Sequence, residues 1–320
     1  KASDTTGHSI VSYVGTGANA TVGHGLSAAP DWVLVKDRDN SNDWITWHSG
    51  LADGTQHLKL NNTEASSANA TYWNSTAPSS SVISLGNNSK TNGSSQNFIA
   101  YCWTETTGVS KFGKYTGNAS STGPSVTLGF QPAFVMIKGL DRASVWYMFD
   151  TTRQTTNDAT NYTHKYLVAS SSNTEYTNAD DGKIEITSTG FQVRASVTGM
   201  NASGEEYIYA AWAGSYSDFI TDVNTNGSIE SRVKASDTTG HSIVNIEASA
   251  SAYTVGHGLS AAPDWIIVKR RDGSSDWTSY HSALGATQKI VLNSTNAAGS
   301  TGAWQNTAPT SSVFTSGFTG

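Results

Sequence analysis

Three aspartates in a short polar stretch have the spacing of metal ligands. Asp37, Asp39 and Asp43 lie in the segment DRDNSND, and Ser41 supplies a further oxygen between them. Oxygen ligands at alternate positions are typical of the first half of a calcium-binding loop. The sequence therefore predicts a candidate calcium site, and calcium is the one cofactor that it indicates.

An ordinary turn is the alternative to a calcium loop. A later copy of the stretch carries a cation in place of the first aspartate and reads Arg270, Asp272, Ser274 and Asp276. A related stretch in the middle of the chain keeps only Asp141. A hairpin turn whose aspartate accepts hydrogen bonds from nearby backbone amides explains all three stretches.

Two aromatic–histidine pairs end predicted strands. Trp47 precedes His48, and Tyr280 precedes His281 at the matching place in the later copy. An aromatic ring beside an imidazole can contact a sugar, so these four residues are candidate glycan contacts. The structural alternative is a strand-end histidine that bonds to a loop carbonyl.

Catalytic motifs are absent from the sequence. It contains no nucleophile elbow, no zinc-protease helix and no glycine-rich phosphate loop. Glu205 and Glu206 are adjacent, so on a strand they would point to opposite faces rather than across a cleft. We therefore predict no catalytic residue and a protein that is not an enzyme.

Composition excludes two classes of partner. The 320 residues carry a formal net charge of −6, whereas a nucleic-acid surface needs clustered cations. No run of about 18 apolar residues is present, so the sequence predicts no membrane insertion.

Cys102 is the single cysteine, and its place in FIAYCW favours a buried small residue over a reactive thiol.

Repetition is the strongest signal in the chain. The stretch TVGHGLSAAPDW at Thr21–Trp32 returns unchanged at Thr254–Trp265, and KASDTTGHSIV at Lys1–Val11 returns at Lys234–Val244. Both copies are shifted by 233 residues. The chain thus holds one long unit and the front of a second, which indicates a modular role.

A fainter repeat divides the long unit in two. The strands DWVLVK, WITWH and FIAYCW are matched by AFVMIK, WYMFD and YIYAAW. The runs FIAYCW and YIYAAW alternate bulky with small residues, which predicts strands with one face against another sheet. We predict an all-β chain of tandem jelly-roll or concanavalin-like β-sandwich modules, each self-contained: module 1 (1–105), module 2 (106–216), a linker (217–233) and module 3 (234–320), which lacks the strand matching FIAYCW.

The combined motifs resemble a repeat domain of tail fibres and virion structural proteins of tailed bacteriophages, particularly phages of marine cyanobacteria. The matching segments are GHSIV, VGHGLSAAP, DWVLVK, WITWH, WNSTAPSSSV and FIAYCW in module 1, and KFGKYTGN, GFQPAFVMIK and WYMFDTTR in module 2. The resemblance implies a sandwich fold and a structural role in a virion appendage or at an extracellular surface. It also implies self-association into a homo-oligomer, such as a trimer or filament. The alternative is a lectin-like module of a phage receptor-binding protein or a bacterial adhesin, with a host-surface glycan as partner.

Overall fold

The structure is a computed structural model that describes residues 1–153, 162–177, 182–214 and 222–318. Short strands joined by polar turns dominate it, and its three helices are single turns of four residues each. The predicted all-β fold is confirmed.

Module 1 has a large sheet and a small one. The large sheet has the order β1-β2-β9-β4-β5-β6-β7, and the small sheet pairs β3 with β8. The elements are β1 (Ala2–Ser3), β2 (His8–Val14), β3 (Ala20–Gly23), β4 (Trp32–Asp37), β5 (Ile45–His48), β6 (Gln56–Lys59), β7 (Ser67–Ala68), α1 (Ala70–Trp73), β8 (Val82–Leu85), α2 (Ser89–Asn92) and β9 (Asn97–Trp103).

Module 2 repeats this plan. Its large sheet has the order β10-β18-β12-β13-β15, and its small sheet has the order β11-β17-β16-β14. The elements are β10 (Ser110–Thr116), β11 (Ser125–Thr127), β12 (Pro132–Gly139), β13 (Tyr147–Asp150), β14 (Tyr162–Thr163), β15 (Tyr166–Val168), β16 (Ile184–Thr187), β17 (Gly190–Val193), α3 (Thr198–Asn201) and β18 (Glu206–Ala213).

The described strands of module 3 form three separate sheets. Their orders are β19-β20-β21, β22-β27 and β23-β24-β25-β26. The elements are β19 (Asp222–Asn224), β20 (Ser231–Ser236), β21 (His241–Ile246), β22 (Tyr253–Gly256), β23 (Trp265–Val268), β24 (Thr278–His281), β25 (Gln288–Val291), β26 (Gly299–Ser300) and β27 (Val313–Ser316).

Register is the same in the two copies of the repeat. Trp32 pairs with His48 in module 1, and Trp265 pairs with His281 in module 3. A slip of one residue would move every side chain to the opposite face. The sequence repeat is thus a repeat of structure.

The segment predicted as a linker carries strands in its described part. Strand β19 lies inside 217–233, and β20 begins there at Ser231. Strand β20 pairs with β21 along six residues, so this part extends a sheet of module 3. Residues 217–221 of the predicted linker lie outside the described residues.

Each module has an interior of its own between its large and small sheets. In module 2, Val135, Ile137 and Tyr209 of the large sheet pack with Ile186 and Phe191 of the small sheet. The interior of module 3 contains Val255, Phe314 and Trp304. Alternation with a period of two directs every second residue into these interiors.

The opposite faces of the large sheets are also buried, because the three modules pack on one another. The cluster that contains the interior of module 1 also contains Met136 and Ala210 of module 2 and Trp277 and Leu292 of module 3. The prediction of self-contained modules is therefore wrong. The modules keep separate interiors but share a second apolar layer.

Candidate functional site at the three-module interface

Equivalent tryptophans join the modules in a closed cycle. The indole N–H of Trp44 in module 1 donates to the carbonyl of Val291 in module 3 at 3.0 Å. Trp146 of module 2 donates to Lys59 of module 1 at 3.0 Å. Trp277 of module 3 donates to Val168 of module 2 at 2.9 Å. We call this arrangement the three-module cycle.

Equivalent lysines repeat the same cycle. Their ammonium groups donate to backbone carbonyls of the next module, in the pairs Lys36–Thr295 at 3.1 Å, Lys138–Thr63 at 3.4 Å and Lys269–Ser172 at 3.1 Å. Burial lowers the pKa of Lys36 to about 8, against the opposing charge of Asp37, and lowers the pKa of Lys138 to about 8. These lysines are structural donors at the interface.

Backbone hydrogen bonds close each contact. They donate in the opposite direction around the cycle, with the Ser66 N–H on the Leu140 carbonyl at 2.9 Å, the Glu175 N–H on the Arg271 carbonyl at 2.8 Å and the Ala298 N–H on the Arg38 carbonyl at 2.9 Å. Each of the three contacts therefore has an indole, an ammonium and an amide donor at equivalent positions. Interfaces built by chance would not repeat in this way.

Aromatic rings fill the centre of the cycle. The ring centroid of Trp103 lies 4.7 Å from Trp32, 6.2 Å from Trp212 and 5.9 Å from Trp265. Tyr101 lies 4.4 Å from Trp265. Offset or tilted rings with centroids about 4.5–7 Å apart stabilise a protein by more than the burial of their surface alone would.

An ion network adds a polar contact between modules 2 and 3. The guanidinium of Arg153, 5% exposed, is paired with Asp150 and reaches Glu175 at 2.9 Å. Arg271 of module 3 reaches the same Glu175 at 2.9 Å and donates to Asn245 at 2.6 Å. Buried charges are tolerated when they are paired in this way.

The predicted glycan contacts of module 1 are buried, and His48 lies in the interface with module 2. His48 is 1% exposed and Trp47 is 7% exposed. The Nδ1 atom of His48 accepts from the Gly50 amide at 2.9 Å, so its Nε2–H donates to the carbonyl of Tyr209 in module 2 at 3.1 Å. Burial lowers the pKa of His48 to about 4, and the bond to Tyr209 opposes that shift only in part.

The matching pair in module 3 is also buried. Tyr280 is 3% exposed and packs edge-on against Trp304, and His281 is 1% exposed and packs edge-on against Tyr101. None of the four residues presents a surface to a sugar in this structure. The structural alternative describes His48 correctly, except that its carbonyl partner belongs to a strand of the neighbouring module rather than to a loop.

The three candidate calcium ligands point to separate partners. Asp37 is fully buried and accepts from the amides of Asp39 and Asn40 at 2.9 and 3.1 Å. Asp39 accepts from the backbone amide of Asn97 at 2.7 Å. Asp43 is paired with Lys90 at 2.6 Å. These carboxylates do not converge on one point. The turn alternative assigned nearby backbone amides to Asp39, whereas such amides bond to Asp37 instead.

Among the described residues, no group of three His, Cys, Asp or Glu side chains is placed to hold a metal ion. In the same part of the chain, no helix is long and apolar enough to cross a membrane. The Cys102 thiol is buried, and burial raises its pKa to about 12.

The three-module cycle was not predicted from the sequence. Trp32, Trp44, Trp103 and Trp146 are buried, and Trp212 is partly buried. The missed signal is the absence of alternation in WVLVKD, which forms β4 with all six residues buried. A short continuous apolar strand is typical of a sheet covered on both faces.

Comparison with known proteins gives one family. The sequence profile of the family described as Domain of unknown function (DUF7483) matches residues 1–215 and again residues 219–320. The two matches follow the long repeat. No curated protein matches the sequence significantly.

Two solved structures align over most of their length. "Crystal Structure of the STIV MCP" is 7% identical, with a TM-score of 0.19, and the alignment covers 64% of this chain and 95% of that one. The major capsid protein P2 from bacteriophage PM2 is 8% identical, with a TM-score of 0.21, and the alignment covers 66% of this chain and 98% of that one. The fold assignment rests on the strands and their pairing, not on these alignments.

Proposed function

The chain belongs to the family described as Domain of unknown function (DUF7483), and for this member we propose a non-enzymatic structural role in a tail fibre of a tailed phage or a similar extracellular filament. One observation carries the proposal. The residue types that could perform chemistry are bound into contacts between modules instead of lining an open site. His48, Lys36 and Lys138 each bond to a backbone carbonyl of another module.

The fold suits a mechanical role. Three modules joined by equivalent contacts resist separation, because two contacts must open before any one module is free. The long repeat supplies such modules from a single polypeptide, and repetition multiplies weak contacts with a surface or with other copies. We propose that copies of the chain associate further, in a virion appendage or at an extracellular surface.

Electron microscopy with immunogold labelling tests the proposal. Antibodies raised against the chain should label the tail appendages of virions of the phage that encodes it, and the purified chain should form elongated particles at high concentration. Label that is absent from virions, together with a chain that stays monomeric, would overturn the structural role. A glycan-array signal from that monomeric chain would support the lectin-like alternative, through a surface other than Trp47, His48, Tyr280 and His281.

A further inference from the structure

The contact between modules 1 and 3 differs from the other two contacts of the three-module cycle in its connectivity. Modules 1 and 2 are joined directly, since β9 ends at Trp103 and β10 begins at Ser110. Modules 2 and 3 are also consecutive along the chain. Modules 1 and 3 are separated by the whole of module 2, so only non-covalent bonds hold this contact closed. It is the one contact that can open without straining a connection between neighbouring modules.

A buried histidine lacks a hydrogen-bond acceptor in this contact. The Nδ1 atom of His281 accepts from the Ala283 amide at 3.0 Å, so its Nε2 atom carries the hydrogen. Among the described residues this Nε2–H has no acceptor, although His281 is only 1% exposed. The equivalent donor in module 1, His48, reaches the carbonyl of Tyr209 at 3.1 Å. An unpaired buried donor is costly, because it has lost its bonds to water without replacing them.

Two polar groups of module 1 are unpaired in the same contact. The ring of Tyr101 packs edge-on against His281, and its buried hydroxyl has no partner among the described residues. The carbonyl of Arg38 accepts from Ala298, but its buried Nε atom has no partner in that part of the chain. In module 2 the residue equivalent to His281 is Asp150, whose carboxylate is ion-paired. The closed cycle therefore leaves three buried polar atoms unpaired where modules 1 and 3 meet.

Two different surfaces form this contact. The tryptophan face of module 1 and the carbonyl face of module 3 are defined by three bonds, which are Trp44 to Val291, Lys36 to Thr295 and the Ala298 amide to Arg38. A contact between unlike surfaces forms a closed ring when its rotation allows closure and an open filament when it does not. The same pair of faces can therefore close one chain on itself or join two chains.

We propose that copies of the chain join head to tail, with the tryptophan face of module 1 in one copy on the carbonyl face of module 3 in the next. This proposal rests on the proposed self-association and assigns a surface to it. Between copies the contact is free of the constraint of closure, so His281 can donate to a carbonyl as His48 does. Closure within one chain competes at an effective concentration on the order of millimolar, so joining increases with chain concentration.

Disulfide trapping between two single-cysteine chains tests the proposal. Both chains carry Cys102→Ala, because alanine occupies the equivalent position 211 of module 2. One chain carries Arg38→Cys and the other Ala298→Cys, since the backbone bond between these residues brings them within reach of a disulfide. At a chain concentration of about 1 mM, the oxidised mixture should contain at least about fivefold more cross-linked pairs than either chain alone.

The matched control uses the equivalent positions of the contact between modules 1 and 2. Chains with Ser66→Cys and Leu140→Cys have the same backbone bond at that contact. The short connection between β9 and β10 keeps modules 1 and 2 of one chain together, so mixing these two chains should give no gain in cross-linked pairs. A yield from Arg38→Cys and Ala298→Cys that is no higher than this control would overturn the proposal.

A chain with both Arg38→Cys and Ala298→Cys gives a second measurement. When dilute it should form the disulfide within one chain, which also shows that the two substitutions fold. This locked chain should form no elongated particles at high concentration in the electron microscope, whereas the reduced chain should form them. Elongated particles of the locked chain would overturn the head-to-tail contact and leave the proposed structural role in place. A disulfide that does not form in the dilute chain would also overturn it.

Discussion

At the scale of single residues, the side chains that suggested chemistry have structural roles. Each buried histidine, lysine or tryptophan carries a polar hydrogen that needs a hydrogen-bond acceptor, because an unpaired buried polar group is costly. In this chain the partner is repeatedly a carbonyl of another module. The contacts between modules therefore use the same residue types that an active site would use.

Acid should destabilise the fold through His48. In the unfolded chain a histidine binds a proton when the pH is below its ordinary pKa of 6.5, whereas burial lowers the pKa of His48 in the folded chain to about 4. The free energy of unfolding therefore has its full value above pH 6.5 and falls as the pH drops toward 4. The loss that His48 causes between about pH 7.5 and about pH 5 is about 2 kcal/mol. In urea titrations at both pH values, His48→Gln should reduce the loss of stability by this amount.

His164→Gln is the control for removing an imidazole, because His164 does not lie in the interface lined by β5 and β18. His8 and His241 are half-buried, and the desolvation of their rings also lowers their pKa values to about 4, so they add to the acid sensitivity of the parent chain. A parent chain that is equally stable at both pH values would contradict this account of the buried imidazoles.

The indole donors of the three-module cycle give a second prediction. Trp44→Phe keeps an aromatic ring but leaves the Val291 carbonyl without its donor, which should cost about 1–2 kcal/mol in unfolding free energy beyond the lost volume. Trp73→Phe is the matched control, since Trp73 is 1% exposed and its indole nitrogen has no hydrogen-bond partner among the described residues. Urea denaturation measures the loss of unfolding free energy in each variant. Equal losses in the two variants would show that the bond to Val291 adds no stability.

At the scale of elements, aspartates in the β4–β5 and β12–β13 hairpins hold the central strands. Asp39 and Asp141 each bond across the sheet to the first amide of β9 or β18. The turn predicted from the sequence had these aspartates bonding to nearby amides. The observed partners are distant along the chain, so the bonds fix the register of a central strand.

Substitution of these aspartates should have unequal effects. Asp39→Ala removes two bonds to Asn97 and should cost about 1 kcal/mol at this exposed site, whereas Asp272→Ala should cost less than about 0.5 kcal/mol because no described strand begins beside it. Thermal unfolding of the two variants measures the difference. A larger loss from Asp272→Ala would contradict the assignment of a strand-holding role to Asp39.

The strands were predictable from the sequence, and the packing between modules was not. Runs such as FIAYCW and WYMFD are rich in aromatic and branched residues and are bounded by turn residues, so they identify β9 and β13. Their alternation does not say whether the second face meets water or another sheet. The sequence does not say what covers the face of β9 that carries Ile99, Tyr101 and Trp103. Only the fold shows that this face packs against modules 2 and 3.

At the scale of the whole molecule, the modules depend on one another. The face of module 1 that carries Leu34 and Tyr101 is buried by its neighbours, and each of these residues is 0% exposed. A contiguous apolar surface of this kind is rarely left exposed on a monomeric protein. The chain is therefore one assembly of three related parts.

Residues 1–105 produced alone should expose this face. We expect the fragment to bind a hydrophobic dye and to aggregate, and Leu34→Lys with Tyr101→Lys should reduce both effects, since charges on the exposed face improve solubility. Dye fluorescence and light scattering are the measurements. A parent fragment that stays monomeric and binds no dye would show that module 1 does not need its neighbours.

Small-angle X-ray scattering of the 320-residue chain tests the three-module cycle most directly. Closed packing of the modules predicts a radius of gyration of about 20 Å, the value for a compact chain of this length. Three separate sandwiches in a row, each about 13 Å in radius of gyration, would give about 30 Å. A value near 20 Å supports the cycle, and a value near 30 Å would contradict it.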